Sequence, residues 1–199
     1  MHMPEEEAFD VFTVLMQSYR LRGLFRPNMA DLTLRLFQLE GLVHSFFPAL
    51  GAHFAELGVD MSMFASQWFL TLFGSSLPLE LVFRIVDVFF LEGFEVIFQA
   101  ALVILADHQA FLARQSFEEI LKFFGHTHLC TQYAQADHDQ FIADLAKFKG
   151  LHKRLAKLER DHEAQKQSEA QQECELTKAR EECDTLRKEN KELKTKVGQ

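Results

Sequence analysis

His126, His128 and Cys130 stand at alternate positions, the spacing by which an extended loop aims side chains at one metal ion. A fourth ligand at a convincing distance along the chain is missing, so the run reads as a polar surface loop. Glu80, Arg84 and Asp87 recur at steps of four and three, which puts them on one face of a helix. Acid, base and acid together can do proton chemistry. In an apolar helix they more often form a structural ion-pair stripe, and that is the reading here. The sequence has no phosphate loop, nucleophile elbow or paired zinc ligands. No catalytic residue, cofactor or metal site is therefore expected.

The stretch FASQWFLTLF (64–73) holds the lone tryptophan. Met61, Phe64, Ala65, Trp68, Phe69, Leu72 and Phe73 are spaced by threes and fours, one continuous helical face. That spacing predicts a core role for Trp68 and Phe69. The residues turned outward include Ser66, Gln67 and Thr71, the better candidates for contact with a partner.

Helices should position these residues, since strand-type alternation is not apparent. Pro4 followed by Glu5, Glu6 and Glu7 opens a helix that runs to about Tyr19. A second follows Asn28 with Leu32, Leu36, Leu39 and Val43 on one stripe, and Pro48 begins a third that ends near Gly58. The Trp68 helix should stop at Gly74, and Pro78 should start the next. That next helix is apolar nearly all round and is expected to be central. Gly93 breaks it, Phe94–Leu105 forms another, and a short helix near Ser116–Phe124 precedes a polar loop to about Asp137.

Composition agrees. Four Pro and nine Gly in 199 residues favour helix, and 21 Phe promise aromatic packing. A net charge of −8 disfavours nucleic acid and anionic lipid as partners. The three cysteines, Cys130, Cys174 and Cys183, form an odd, scattered set that fits a reducing compartment. Leu79–Leu105 carries Glu80, Arg84, Asp87, Glu92 and Glu95, charges too costly in lipid, so buried helices are expected rather than a transmembrane segment.

From about Asp139, Lys, Glu and Gln take over. A heptad can be written from Leu151 through Leu155 and Leu158, a poor middle, and then Leu176, Cys183, Leu186, Asn190, Leu193 and Val197. Glu175 with Arg180, Glu182 with Arg187 and Glu189 with Lys194 supply the flanking charges of a parallel two-stranded coil, and a buried Asn favours that state. The other reading is a solvated single helix with internal ion pairs.

Several ordered motifs go further. S-Q-W-F-L at Ser66–Leu70, L-P at Leu77 and Pro78, and R-I-V-D-V-F-F-L-E-G from Arg84 to Gly93 closely resemble the later part of a TBC domain, the helical domain of Rab GTPase-activating proteins. M-P-E-E-E-A-F at Met3–Phe9 and L-F-Q-L-E at Leu36–Glu40 resemble the same family in the same order. The nearest subgroup is the Rab GTPase-activating protein 1-like group, which has a coiled coil after the domain.

The resemblance implies an all-α fold, the C-terminal lobe of a TBC domain followed by a long coiled-coil helix. It places the partial domain at 1–125, a linker at 126–138 and the coil at 139–199, with Arg84 and Asp87 as motif residues. It also implies a Rab-type GTPase partner and a cytoplasmic protein, peripheral on endosomal or Golgi membranes. The family's activity relies on an arginine in I-x-x-D-x-x-R, which stabilises charge on the transferring phosphoryl group, and a glutamine in Y-x-Q, which orients water. The first motif is absent from this sequence. Tyr133-Ala134-Gln135 matches the second by letter, but it follows the tryptophan motif and falls in the expected loop, so it reads as chance. The chain is expected to be the rear half of a TBC domain without its fingers, with a parallel homodimer through 139–199.

Overall fold

The computed structural model describes residues 3–19 and 21–197, and side-chain surroundings for these except 126, 127 and 188–197. The described residues form helices and turns, without a strand. They divide into two units, Met1–Leu158 and Glu159–Gln199.

In the first unit, α1 (Glu5–Ser18) leads through a 3-10 turn (Leu21–Phe25) to α2 (Ala30–Phe46) and α3 (Pro48–Leu57). Three acids in the first turn of α1 favour its start, and proline in the first turn starts α3. Next come α4 (Ser62–Thr71), α5 (Leu79–Glu92) and α6 (Glu95–Leu112). Then follow α7 (Phe117–Phe123), α8 (His126–Tyr133), α9 (His138–Leu145), a 3-10 turn (Ala146–Phe148) and α10 (His152–Val197).

The central helix is α6, not α5. Every residue from Val96 to Leu105 is buried. α4, α5, α9 and the Ala146–Phe148 turn pack on it. By length and composition alone α6 qualifies as a candidate membrane span, but its apolar run is spent inside this unit. On α5 only Leu81, Val82, Ile85 and Phe89 are buried. Its all-round apolar composition pointed to a central place, yet one side is covered and Leu79, Phe83 and Phe90 are exposed. Gly93 ends α5 at φ 79° and ψ −159°, backbone space nearly closed to other residues.

The Trp68 helix stops earlier than Gly74. Leu72 and Phe73 both take positive φ, at 48° and 65°. Left-handed backbone costs a non-glycine residue roughly 1–2 kcal/mol. What offsets it is burial of the Phe73 ring, stacked 5.4 Å from Trp68.

Two further expectations fail. The segment 126–138 is not a linker, because α8 lies within it. Among its described side chains only Leu129 and Tyr133 are buried, a pair four apart that is too sparse for periodicity to reveal. Nor does one helix run from Asp139. Asp137 caps α9 by accepting from the backbone N–H of Asp139 and Gln140, and Phe141 and Leu145 join the core. Gly150 (φ 78°) then breaks the chain before α10.

The first turns of α10 belong to the globular unit. Leu151 is buried, its N–H donates to Glu95 Oε1 at 2.6 Å, and Leu155 and Leu158 pack against the core. Gln38, fully buried, donates to the Leu155 carbonyl at 2.9 Å and accepts from Arg35. Leu151, Leu155 and Leu158 are thus core residues, not coil positions. In the second unit, α10 exposes Leu176, Cys183 and Leu186. The side chains of Asn190, Leu193 and Val197 lie outside the described residues.

Tyr133 ties three helices together. Its hydroxyl donates to Asp107 Oδ2 on α6 at 3.0 Å, and its ring meets Phe141 of α9 edge-on at 5.4 Å. Burial first, then the charge and hydrogen bond of Asp107, push its phenol well above the ordinary tyrosine range. Above about pH 10 the folded state therefore holds a proton that the unfolded chain releases, so stability falls as pH rises. Tyr133→Phe should cost about 1 kcal/mol near neutrality and flatten that alkaline loss. Denaturant melts between about pH 9 and pH 11 check this, and an unchanged slope in the variant would contradict it.

Candidate functional site

The thin polar face of α4 lies beside a cavity of about 360 Å³. Its apolar floor includes Phe64 and Phe124, stacked with centroids 4.0 Å apart, with Met63 and Leu121 beside them. Gln67, Ser75 and Ser76 give it a neutral polar edge. Phe64 and Gln67 share α4 at a step of three. The left-handed pair at Leu72 and Phe73 folds the chain back so that Ser75 returns over Gln67. The end of α7 brings Leu121 and Phe124 from the other side. Ser116 and Glu119 fix the start of that helix with a capping box, and both hydrogen bonds from Ser116 hold the Glu119 carboxyl below its usual range.

Ser75 connects this edge internally. Its hydroxyl lies 3.0 Å from Thr71 Oγ1 and donates to Gln67 Oε1 at 3.4 Å. Thr71 also donates to the Gln67 carbonyl at 2.8 Å. Of the three expected contact residues, Gln67 lines the cavity and Thr71 is exposed and bonded to its rim. Ser66 is half-buried, and its hydroxyl donates back to the Ser62 carbonyl at 2.8 Å, so it offers less. Ser75, Leu121 and Phe124 escaped sequence reasoning because turn geometry and a separate helix deliver them.

Trp68 and Phe69 are core residues, as their spacing implied. Trp68 packs edge-on against Phe64 at 5.2 Å and Phe124 at 5.5 Å, so it forms the wall behind the cavity. Its indole N–H meets no acceptor among the described residues. Arg84 does not complete a stripe with Glu80 and Asp87. Its guanidinium bonds Asp139 on α9, while Asp87 is exposed.

The cavity's polar groups are neutral hydroxyls and an amide, without a base to activate them. His128 and Cys130 lie on α8, where residues two apart point to different sides, so their alternation does not converge. The His126 side chain lies outside the described residues. Gln132 donates to His128 and faces His108 Nε2 at 2.6 Å. Among the described residues, no group of three His, Cys, Asp or Glu stands together as a metal shell. Tyr133 is buried at the end of α8, while Gln135 is exposed in the turn beyond.

A family model described as the RabGAP TBC domain matches residues 1–165. The chain is similar to the Rab GTPase-activating protein eat-17 of Caenorhabditis elegans, 40% identical over 202 residues, covering 99% of this chain and 21% of that protein. It is also similar to the Ecotropic viral integration site 5 protein homolog of Homo sapiens, 37% identical over 197 residues, covering 99% and 23%. Among solved structures, it resembles the Chlamydomonas flagellar RabGAP TBC domain with a TM-score of 0.61 and 28% identity, over 74% of this chain and 47% of that one. The chain thus spans about a fifth of the length of these curated relatives.

The core and surface roles on α4 separate by stability. Trp68→Ala should cost ~3–5 kcal/mol. Gln67→Ala or Thr71→Ala should stay within about 0.5 kcal/mol. Urea midpoints measure both, and a large loss at Gln67 would contradict its place on the surface.

Proposed function

Because this chain belongs to the RabGAP TBC domain family, we propose that it is the rear portion of a GTPase-activating domain, contacting a Rab-type GTPase without accelerating hydrolysis by itself. The contact is formed by the α4 edge, chiefly Gln67 and Thr71. One observation carries the second half of the reading. The lone Y-x-Q, at Tyr133–Gln135, follows the tryptophan motif instead of preceding it, and its tyrosine serves the core through Asp107 although Gln135 is exposed. The absence of I-x-x-D-x-x-R from the sequence supports it. An arginine finger is worth about 10³–10⁵ in rate, which is the size of the effect that this reading expects to be missing. The setting is membrane traffic, in the cytoplasm and peripheral to endosomal or Golgi membranes. The closer kinship is with the Rab GTPase-activating protein 1-like group.

A second reading concerns the end of the chain. Leu176, Cys183 and Leu186 are exposed on α10 at heptad positions flanked by complementary charges. These support a parallel homodimer through the part of α10 beyond Leu158, shorter than the coil expected from Asp139.

Single-turnover hydrolysis by a panel of Rab GTPases tests the first reading. The expected rate with the chain added is the intrinsic rate, and acceleration of any panel member would sink the proposal. Sedimentation tests the second. The whole chain should self-associate, and Leu176→Lys with Leu186→Lys should weaken that. A strict monomer at high concentration would remove it.

A further inference from the structure

One corner of the first unit reverses the charge of the rest. From Leu145 to Leu158 the sequence holds five lysines and arginines and no acid, in a chain whose net charge is −8. Net charge argued against anionic partners, but it averages over a surface that is not uniform. Phe148 and Leu151 are buried, and Leu155 and Leu158 pack on the core, so the apolar residues of this run face inward. Arg154 is committed to α2. Its guanidinium donates to Ser45 Oγ at 2.5 Å and lies 4.7 Å from the centre of the Phe46 ring. The four lysines are exposed. Lys147 pairs with Asp144 at 2.9 Å and Lys149 with Glu92 at 3.4 Å, yet both side chains stay more than half in water, where such pairs are weak. Lys153 and Lys157, four apart on α10, form no ion pair among the described residues.

An apolar tip stands in the same corner. The Lys149–Glu92 pair and the bond from the Leu151 N–H to Glu95 Oε1 tie the run to the junction of α5 and α6. Leu91, next to Glu92, is 86% exposed, the highest value among the described large apolar side chains. Exposure that high leaves no wall beside it. Peptides are read by grooves and pockets, whereas a bare leucine above lysines suits a flat surface. We propose that this corner, Leu91 with Lys147, Lys149, Lys153 and Lys157, docks on a bilayer that carries anionic phospholipid. The lysines meet headgroup phosphates and the leucine enters the boundary of the acyl chains. Cations or one apolar group alone hold a protein loosely, so the two act together. The inference goes beyond the peripheral setting proposed above, because it gives the chain a lipid contact of its own. It uses none of the α4 residues assigned to the GTPase.

The test sediments the whole chain with large phosphatidylcholine vesicles, with and without about a third phosphatidylserine. Binding is expected only with phosphatidylserine, and it should fall as added salt screens the lysines. Lys153→Glu with Lys157→Glu should weaken it by about tenfold or more. Leu91→Gln should weaken it several-fold. All three positions are exposed, so helical circular dichroism and urea midpoints should stay as in the unchanged chain. No binding to either vesicle, or equal binding to both, overturns the proposal. So does a double reversal that binds as the unchanged chain does. Displacement by free glycerophosphoserine overturns it, because the site then reads a headgroup without a bilayer. Polyglutamate or a DNA duplex that displaces the vesicles and ignores Leu91→Gln assigns the lysines to another polyanion and also overturns it. Pelleting without vesicles that the double reversal abolishes gives the corner to a second copy, again against the proposal. A chain carried to membranes only by its Rab fails here while its Rab contact stands, so this inference and that reading fail separately.

Discussion

Ten consecutive residues of α6, Val96 to Leu105, are shut away from water, and this sets the plan of the first unit. A helix that is apolar on every side is stable only when surrounded. α5 and α9 take two of its sides, α4 and the Ala146–Phe148 turn take others, and Tyr133 pins α8 to it through Asp107. Glu95, in its first turn, reaches out to hold the N–H of Leu151 where α10 begins. One polar intrusion remains in the run. Gln99 is buried, and its Oε1 has no partner among the described residues.

The aromatic cluster around α4 depends on that arrangement. Phe69 packs on Phe98 of α6 at 5.3 Å, which fixes the helix's inner side. Trp68, Phe64, Phe73 and Phe124 then fill the space between α4 and α7. With so much of α4 committed inward, only a narrow polar edge is left for recognition. The two left-handed residues after it are not incidental, since the turn they make returns Ser75 to Gln67 and closes one side of the cavity.

What could be read from the sequence was decided by how many residues announced a feature. The α4 face was legible because Phe64, Ala65, Trp68 and Phe69 keep helical spacing, and all four are buried. The end of that helix was not, because Leu72 and Phe73 occupy backbone space that sequence rules reserve for glycine. α5 and α6 look alike as strings of apolar residues, and composition cannot say which one neighbours cover. Among its described side chains α8 buries only Leu129 and Tyr133. Leu151, Leu155 and Leu158 fit a heptad and a core helix equally well, since 3.5 and 3.6 residues per turn diverge little over two turns. The L-F-Q-L-E motif marked a family, but the reason for its glutamine, the bond from Gln38 to the Leu155 carbonyl, appears only in three dimensions. At the candidate site Gln67 was foreseen, while its partners came from other elements.

α6 is the covered centre of the first unit, and α1, which has no fully buried residue, is its edge. Amide hydrogen exchange on the whole chain tests this most directly, because protection follows local opening free energy. The amides of Val96–Leu105 should be the slowest in the first unit, and those of Phe9–Met16 should exchange orders of magnitude faster. Protection of α1 equal to that of α6 would contradict the account.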